Sequence, residues 1–185
     1  MRNKIKRNIA LSAIATVFWI LALVSTTTAL LTASSGPLEN TFTIGKVEIS
    51  LTETTGGIYQ LIPGKEITKD PIVTVAGESE DCWLFIKVSK TEYFDEYIEY
   101  EISDGWTLLG GFDGIYYREV IKSVGGAQFG ILKNNVVTVK DTLTEEKMTA
   151  ITPPPVMTFK AYAVQSHSIE TAYDAWMLIL EEGGE

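Results

Sequence analysis

Apolar and polar residues alternate with a period of two along much of the chain after residue 40. Asn40–Leu51 alternates with one slip at Gly45, which predicts a half-buried strand with a bulge at the glycine. Cys82–Val88 is the densest apolar run of residues 30–185 and predicts a central strand. Further strands are predicted over segments bounded by turn residues: 59–62, 72–75, 97–102, 115–121, 129–133, 136–140 and 156–164.

Two short helices interrupt this pattern. Thr142 and Glu145 have the spacing of a capping box and predict one short helix. Ser168 or Thr171 begins a final helix that runs to Leu180, with one apolar side formed by Ala172, Ala175, Trp176 and Ile179. Short strands with few helices predict an all-β fold, a jelly-roll-like antiparallel sandwich of two sheets.

The first residues have the pattern of an export signal. Met1–Asn8 is basic, Ile9–Val24 is uncharged, and small residues follow up to Ala29. This order predicts a signal-peptide helix over residues 1–29, cut between Ala29 and Leu30. In the alternative reading the apolar stretch stays uncut and tethers the protein to the membrane, with the same part of the chain facing outward.

These boundaries divide the chain into three parts. Residues 1–29 are the signal peptide, residues 30–39 an extended lead, and residues 40–185 the β-sandwich domain. The chain is expected to contact the membrane only transiently, through the signal segment. After cleavage the mature chain is expected in the extracellular matrix or on the cell surface.

Composition limits the chemistry of the mature chain. Removing residues 1–29 takes away four of the 15 basic residues and none of the 24 acidic ones. Such an acidic chain is poorly suited to nucleic acid, because phosphate binding needs a lysine- or arginine-rich surface. One cysteine cannot close an internal disulfide, and one histidine excludes sites that need two imidazoles.

Several ordered segments resemble a known family. TFTIGKVEISLTE, LIPGKEITKDPIVTV, CWLFIKV, FKAYAVQ and TAYDAW follow one another as in the TasA/camelysin family of exported proteins. The resemblance implies a jelly-roll-like sandwich, processing by a SipW-type signal peptidase and, for the TasA branch, a subunit of extracellular matrix fibres. The camelysin branch implies a cell-surface metalloprotease.

The resemblance also implies how copies join. In the TasA branch, a strand freed at the mature N-terminus completes the sheet of the next subunit, so the expected partners are copies of this chain and a signal peptidase. The assembly residues expected here are Leu30, Leu31, Thr32 and Leu38. Leu30 and Leu31 replace the aromatic residues that the family usually has at the start of the mature chain.

Candidate metal ligands are few. Glu78, Glu80 and Asp81 share a loop and could bind calcium, while a solvated acidic loop would have the same sequence. His167, a candidate zinc ligand, lies in a polar segment typical of a solvated turn. A second acidic group is interleaved with aromatic residues and consists of Glu92, Asp95, Glu96, Glu99 and Glu101. The pattern fits either a binding edge or a strand with one solvent-exposed face.

Three functions therefore stand as hypotheses. The first is a secreted subunit of biofilm-type matrix or surface fibres that assembles by strand exchange, without a cofactor. The second is a camelysin-like surface metalloprotease, although no motif such as GxSxG supports an enzyme. The third is a monomeric surface binding module that uses a face of the sandwich.

Overall fold

β-Strands dominate the part of the chain that the computed structural model describes, which is residues 41–55, 61–144 and 154–183. The strands in these residues are β1 Thr41–Ile44, β2 Ile49–Thr52, β3 Glu66–Thr68, β4 Ile72–Val75, β5 Cys82–Lys90, β6 Ile98–Glu99, β7 Thr107–Leu108, β8 Ile115–Val120, β9 Ala127–Gly130, β10 Val136–Val139 and β11 Met157–Gln165. The helices are α1 Phe94–Tyr97, a 3-10 turn at Lys133–Asn135, and α2 Ala172–Glu181.

One layer of the fold is a five-stranded sheet in the order β1-β11-β5-β8-β7. β5 lies in the middle and pairs over its whole length, from Cys82 to Lys90, with β11. Its other side pairs with β8. Flanking strands on both sides explain why β5 is the densest apolar run, as the sequence predicted.

The second layer consists of two three-stranded sheets, in the orders β3-β10-β6 and β2-β4-β9. One backbone hydrogen bond extends the ladder of each sheet by a residue: Ile131 N–H donates to Pro71 C=O at 3.0 Å next to the β4-β9 pair, and Lys69 N–H donates to Asn135 C=O at 2.7 Å next to the β3-β10 pair. Asn134 and Asn135 both have φ near 56° and turn the chain between β9 and β10. Asparagine tolerates this left-handed conformation better than most residues do, and the sequence predicted a corner at this pair.

The two layers enclose the main core. Alternate residues of β5 and β11 contribute to it from the five-stranded sheet, and the facing layer contributes apolar residues such as Ile49, Val73 and Val139. Trp106, which precedes β7, belongs to the same core. The predicted all-β sandwich is thus confirmed, with one departure from a purely antiparallel arrangement, the parallel pair of β1 and β11.

A smaller core lies on the outer face of the five-stranded sheet, beneath α2. The helix contributes the four predicted residues, Ala172, Ala175, Trp176 and Ile179, and the sheet contributes Phe85, Tyr162 and Val164. Thr171 caps the helix, because its Oγ1 accepts a hydrogen bond from Asp174 N–H at 3.1 Å. The prediction of this helix, its cap and its buried face is confirmed.

The prediction of one bulged strand over residues 40–51 is wrong. The described part of this segment forms β1 and β2, which belong to different layers and are separated at Gly45. Residue 97 is also not in a strand, because α1 precedes β6. The predicted signal peptide and lead lie outside the described residues, as do residues 59 and 60 of the predicted strand 59–62 and the residues of the predicted helix after 144. The other half of that predicted strand, residues 61 and 62, is described and is not in a strand.

A carboxylate clamp holds the turn after β2. Asp70 accepts hydrogen bonds from the backbone N–H groups of Thr54 and Thr55, both at 3.0 Å. The hydroxyl groups of the two threonines donate to the same carboxylate. These hydrogen bonds lower the pKa of Asp70 to about 2. The clamp therefore fastens the end of β2 to the segment that connects β3 and β4.

Candidate assembly edge

The five-stranded sheet ends on one side at β1. This strand pairs in parallel with β11, from Thr41 opposite Ala161 to Ile44 opposite Val164. It is the one parallel pair among the strands of the described residues. No described strand lies on its other side. A strand edge of this kind presents backbone N–H and C=O groups to which a strand of another chain can pair.

Side chains add a modest hold on β1. Phe42 and Ile44 are half-buried against the core beneath α2, whereas Thr41 and Thr43 are exposed. The ring of Phe42 lies 6.4 Å from the ring of Tyr162, which in turn lies 5.2 Å from the ring of Trp176. Because its two apolar side chains remain partly in water, β1 is held less firmly than the inner strands.

Gly45 ends β1 in a conformation that favours glycine. Its φ is 89°, and a Cβ at this position would lie 2.7 Å from Gln165 Oε1 and 2.8 Å from Gln165 Cβ. The same Gln165 Oε1 accepts a hydrogen bond from Lys46 N–H at 3.3 Å. Gly45 and Lys46 thus form a tight turn that directs the chain from one layer to the other; we call these two residues the hinge.

The chain is firmly anchored directly after the hinge. Val47 is buried in the main core. Glu48 N–H donates to Ser79 Oγ at 3.1 Å, and Ser79 itself is only 6% exposed. Lys46 C=O accepts a hydrogen bond from Glu80 N–H at 3.1 Å. The hinge therefore separates a weakly held strand from a firmly held one.

Sequence reasoning missed the residues that define this edge. Phe42, Ile44, Gly45 and Gln165 were not predicted as a site, because the alternation on both sides of Gly45 has the same period. Glycine in the middle of an alternating segment was the available signal, and it fits a turn between sheets as well as a bulge. The predicted cleavage and assembly residues lie outside the described residues and stay predictions: Ala29, Leu30, Leu31, Thr32 and Leu38.

The predicted acidic metal loop is tied to a lysine. Glu80 forms an ion pair with Lys122 at 3.1 Å, and this hydrogen bond raises the pKa of Lys122. Asp81 Oδ1 accepts a hydrogen bond from the backbone N–H of Lys122 at 2.6 Å. Glu78 has a positive φ of 66° and donates its N–H to Ser123 C=O. In this arrangement two of the three carboxylates interact with Lys122.

The structure places the histidine loop beside this acidic loop. Ser166 N–H donates to Asp81 C=O at 2.8 Å, and His167 follows as an exposed residue of the turn before α2. Within the described ranges, no group of three or more His, Cys, Asp or Glu side chains is arranged to hold a metal ion. The two loops are therefore neighbours, and the metal site stays a prediction.

The second acidic group lies partly along a polar groove. The groove has a volume of about 590 Å³ on the outer face of the β3-β10-β6 sheet. Asp95, Glu99 and Glu101 line it, and all three pair with lysines: Asp95 with Lys90, Glu99 with Lys140, and Glu101 with Lys133. The groove carries both charges, so it can offer donors and acceptors to a polar ligand.

Cys82 is fully buried at the start of β5. Burial, with a smaller contribution from Asp81, raises the pKa of its thiol to about 12. A thiol in this state is not a nucleophile at neutral pH. The residue packs as a small apolar side chain, as its sequence context predicted.

Comparison of the chain with protein-family models, with curated proteins and with solved structures finds no match. The resemblance to the TasA/camelysin family therefore rests on the sequence segments quoted above. Across the described residues, every helix is too short or too polar to span a lipid bilayer.

Proposed function

We propose that this chain is an exported structural subunit of extracellular matrix or cell-surface fibres, and that its copies join by strand exchange. The observation that carries the proposal is the edge at β1. It is short, half-exposed, parallel to its neighbour and without a described partner on its outer side. Long-lived assembly through such an edge needs no catalytic residue and no cofactor.

The lead is the natural donor for this edge. Residues 30–39 precede β1 by a single residue, Asn40, and contain one charged residue, Glu39. Ten residues in extended conformation span at most about 35 Å, which is enough to reach along a sheet of a second copy. Backbone pairing would supply the affinity, and Leu30, Leu31 and Leu38 would supply apolar contacts.

Pairing of this kind makes open filaments. The donor lead and the acceptor edge are different surfaces of the same molecule, so each copy can accept one neighbour and donate to the next. Cleavage after Ala29 would free the lead only after export, which would keep the precursor from assembling inside the cell.

The decisive experiment compares two purified chains, 30–185 and 40–185, by electron microscopy and light scattering. Filaments are expected from the first and not from the second. A length-matched variant of the first, with Leu30, Leu31 and Leu38 changed to Ser, should also fail to assemble, while Ser34→Ala with Ser35→Ala should assemble normally. Filaments from chain 40–185 would contradict the proposal.

A binding module is the second candidate, and the polar groove of β3, β10 and β6 favours it. Its charged pairs suit a polar ligand such as a glycan. A glycan array probed with monomeric chain 40–185 tests this function. The double variant that carries Lys133→Ala and Lys140→Ala should lose binding. The same purified chain, incubated with casein with and without chelator, tests for the metalloprotease.

A further inference from the structure

Arg118, in β8, is the only arginine of residues 30–185. The ion pairs of the described residues all join a lysine to a carboxylate, and none of them includes Arg118. Its Nε is buried, and no group in these residues accepts a hydrogen bond from it. Burial lowers the pKa of the guanidinium, because the charged form loses solvation without gaining a carboxylate in exchange. The cation is therefore left without an acidic partner among the described residues.

Two aromatic rings hold this guanidinium in place. Its Cζ lies 3.8 Å from the centre of the Phe129 ring and 5.3 Å from the centre of the Trp106 ring. Trp106 is itself fixed, because its Nε1–H donates to Gly130 C=O at 2.9 Å. Rings stabilise a cation through their faces and leave the N–H groups in the guanidinium plane unbonded. The guanidinium therefore presents its donors in one fixed direction.

The end of the guanidinium lies beside Gly105. This glycine is exposed, and a Cβ added to it would lie 3.2 Å from Arg118 Nη2 and 3.5 Å from Nη1. The first of these contacts is tighter than side-chain atoms normally make, so a larger residue would crowd the Nη groups. Glycine leaves this side of the guanidinium open to an atom that approaches from solvent. Because Nε is sealed, Nη1 and Nη2 are the donors that such an atom would meet.

We propose that this end of Arg118 is a binding site for a carboxylate. Nη1 and Nη2 would each donate a hydrogen bond to one carboxylate oxygen, the forked geometry in which the two groups match. A guanidinium that is already held between two rings loses little freedom on binding, which favours affinity. The site does not depend on the proposed function, since neither the pairing of β1 nor the polar groove uses Arg118.

Charge selects a carboxylate over a phosphate at this site. Arg118 offers one positive charge, and Asp104 precedes Gly105 as an exposed acid. Acidic residues also outnumber basic ones in the whole chain, 24 to 15. These groups would repel a phosphate dianion more strongly than a carboxylate, and one guanidinium neutralises only the carboxylate in full. The ligand class is therefore a small organic acid with one carboxylate.

The first test is an NMR titration that follows the Nε–H signal of Arg118. Chain 30–185 gives a single arginine signal of this kind, and its variant with Leu30, Leu31 and Leu38 changed to Ser serves where filaments would broaden the signal. Sodium acetate, sodium chloride and methyl phosphate are compared at neutral pH and equal ionic strength. Acetate should bind about tenfold more tightly than chloride, the effect of one charge-assisted hydrogen bond, and more tightly than methyl phosphate.

Variants identify the group that binds, with the indole N–H signal of Trp106 as the common readout. Arg118→Met should abolish the response to acetate. Arg118→Lys, which keeps the charge without the fork, should reduce the affinity for acetate to that for chloride. Lys122→Met is the matched control, because it removes a cation that is paired with Glu80 in the loop after β8. Its response should equal that of the unsubstituted chain.

Thermal unfolding gives a second measurement, since a ligand that binds only the folded chain raises the midpoint. The midpoint in acetate should exceed that in chloride by more for the unsubstituted chain and Lys122→Met than for Arg118→Lys. Equal affinities for acetate and chloride, tighter binding of methyl phosphate, or an unchanged response in Arg118→Lys would each overturn the proposal. Arg118→Lys also decides the question if Arg118→Met does not give folded protein.

Discussion

The two edges of the five-stranded sheet are finished in different ways. At the β7 edge, the guanidinium of Arg118 stacks on the ring of Phe129 at 3.8 Å and lies 5.3 Å from the ring of Trp106. Trp106 Nε1–H donates to Gly130 C=O at 2.9 Å. Side chains from one layer thus interlock with the other layer, and the edge cannot move without disturbing both.

The β1 edge has no comparable interlock in the described residues. Its hold consists of one ladder with β11 and two half-buried side chains, Phe42 and Ile44. A short edge strand can serve stability when it is fastened to the opposite layer, as at β7. It can serve assembly when it is fastened only to its neighbour, as at β1.

The strongest test of this contrast is removal of the tryptophan at the β7 edge. Trp106→Ala should lower the free energy of unfolding by about 3 kcal/mol, since a large buried side chain and its hydrogen bond are lost. Urea unfolding measures the change. Leu108→Ala, on the exposed side of β7, should cost less than about 0.5 kcal/mol, and a similar cost for both variants would contradict the interlock.

Arg118 tests whether stacking or charge holds that edge. Its Nε is buried and has no hydrogen-bond partner within the described residues, and desolvation lowers the pKa of the guanidinium. Arg118→Ala should cost about 2 kcal/mol through lost packing and stacking. Arg118→Met keeps an apolar stem between the rings and should cost less than about 1 kcal/mol by the same urea titration. An equal loss in the two variants would show that the charge matters more than the contact.

Removal of the anchors of β1 should have a smaller, more local effect. Phe42→Ala with Ile44→Ala should cost about 1 to 2 kcal/mol, because both side chains are only half-buried. Hydrogen exchange followed by mass spectrometry should show lost protection at residues 41–44 and unchanged protection across β5. The control, Thr41→Ala with Thr43→Ala, should leave both regions unchanged. Loss of protection throughout β5 would mean that β1 is integral to the sandwich.

The smallest expected effect is a dependence of stability on pH, which arises at Asp70 and does not involve β1. The pKa of Asp70 is lowered from 3.8 to about 2, so its hydrogen bonds stabilise the fold above pH 4 and are lost as the pH falls towards 2. The midpoint of thermal unfolding of Asp70→Asn should therefore lie below that of the unsubstituted chain at pH 6, and the two should converge near pH 2. Asp113→Asn, on an exposed loop, should match the unsubstituted chain at both values; a constant gap for Asp70→Asn would refute the clamp.

Local sequence predicted those parts of the fold that depend on one segment. A few adjacent residues are enough to predict the burial or the backbone conformation of three elements. These are the apolar run at Cys82–Val88, the Asn134–Asn135 corner and the capped helix after Thr171. β3 and β7 were not predicted, because strands of three and two residues are too short to show an alternating pattern.

The candidate edge could not be predicted from any single segment, because it depends on which distant strand β1 pairs with. The parallel partner of β1 lies 120 residues further along the chain, from Thr41 to Ala161. Alternation specifies which side chains of a strand face a core but not which sheet receives the strand. The interlock at Arg118 likewise unites three separate segments, β8, β9 and the residues before β7.

Cys82 has a practical consequence for anyone handling this protein. Its sulfur is sealed inside the sandwich, so the folded chain offers no accessible sulfhydryl among the described residues to air or oxidants. Covalent dimers on a non-reducing gel would then be a marker of chains that have opened, and maleimide labelling at this single position would count them.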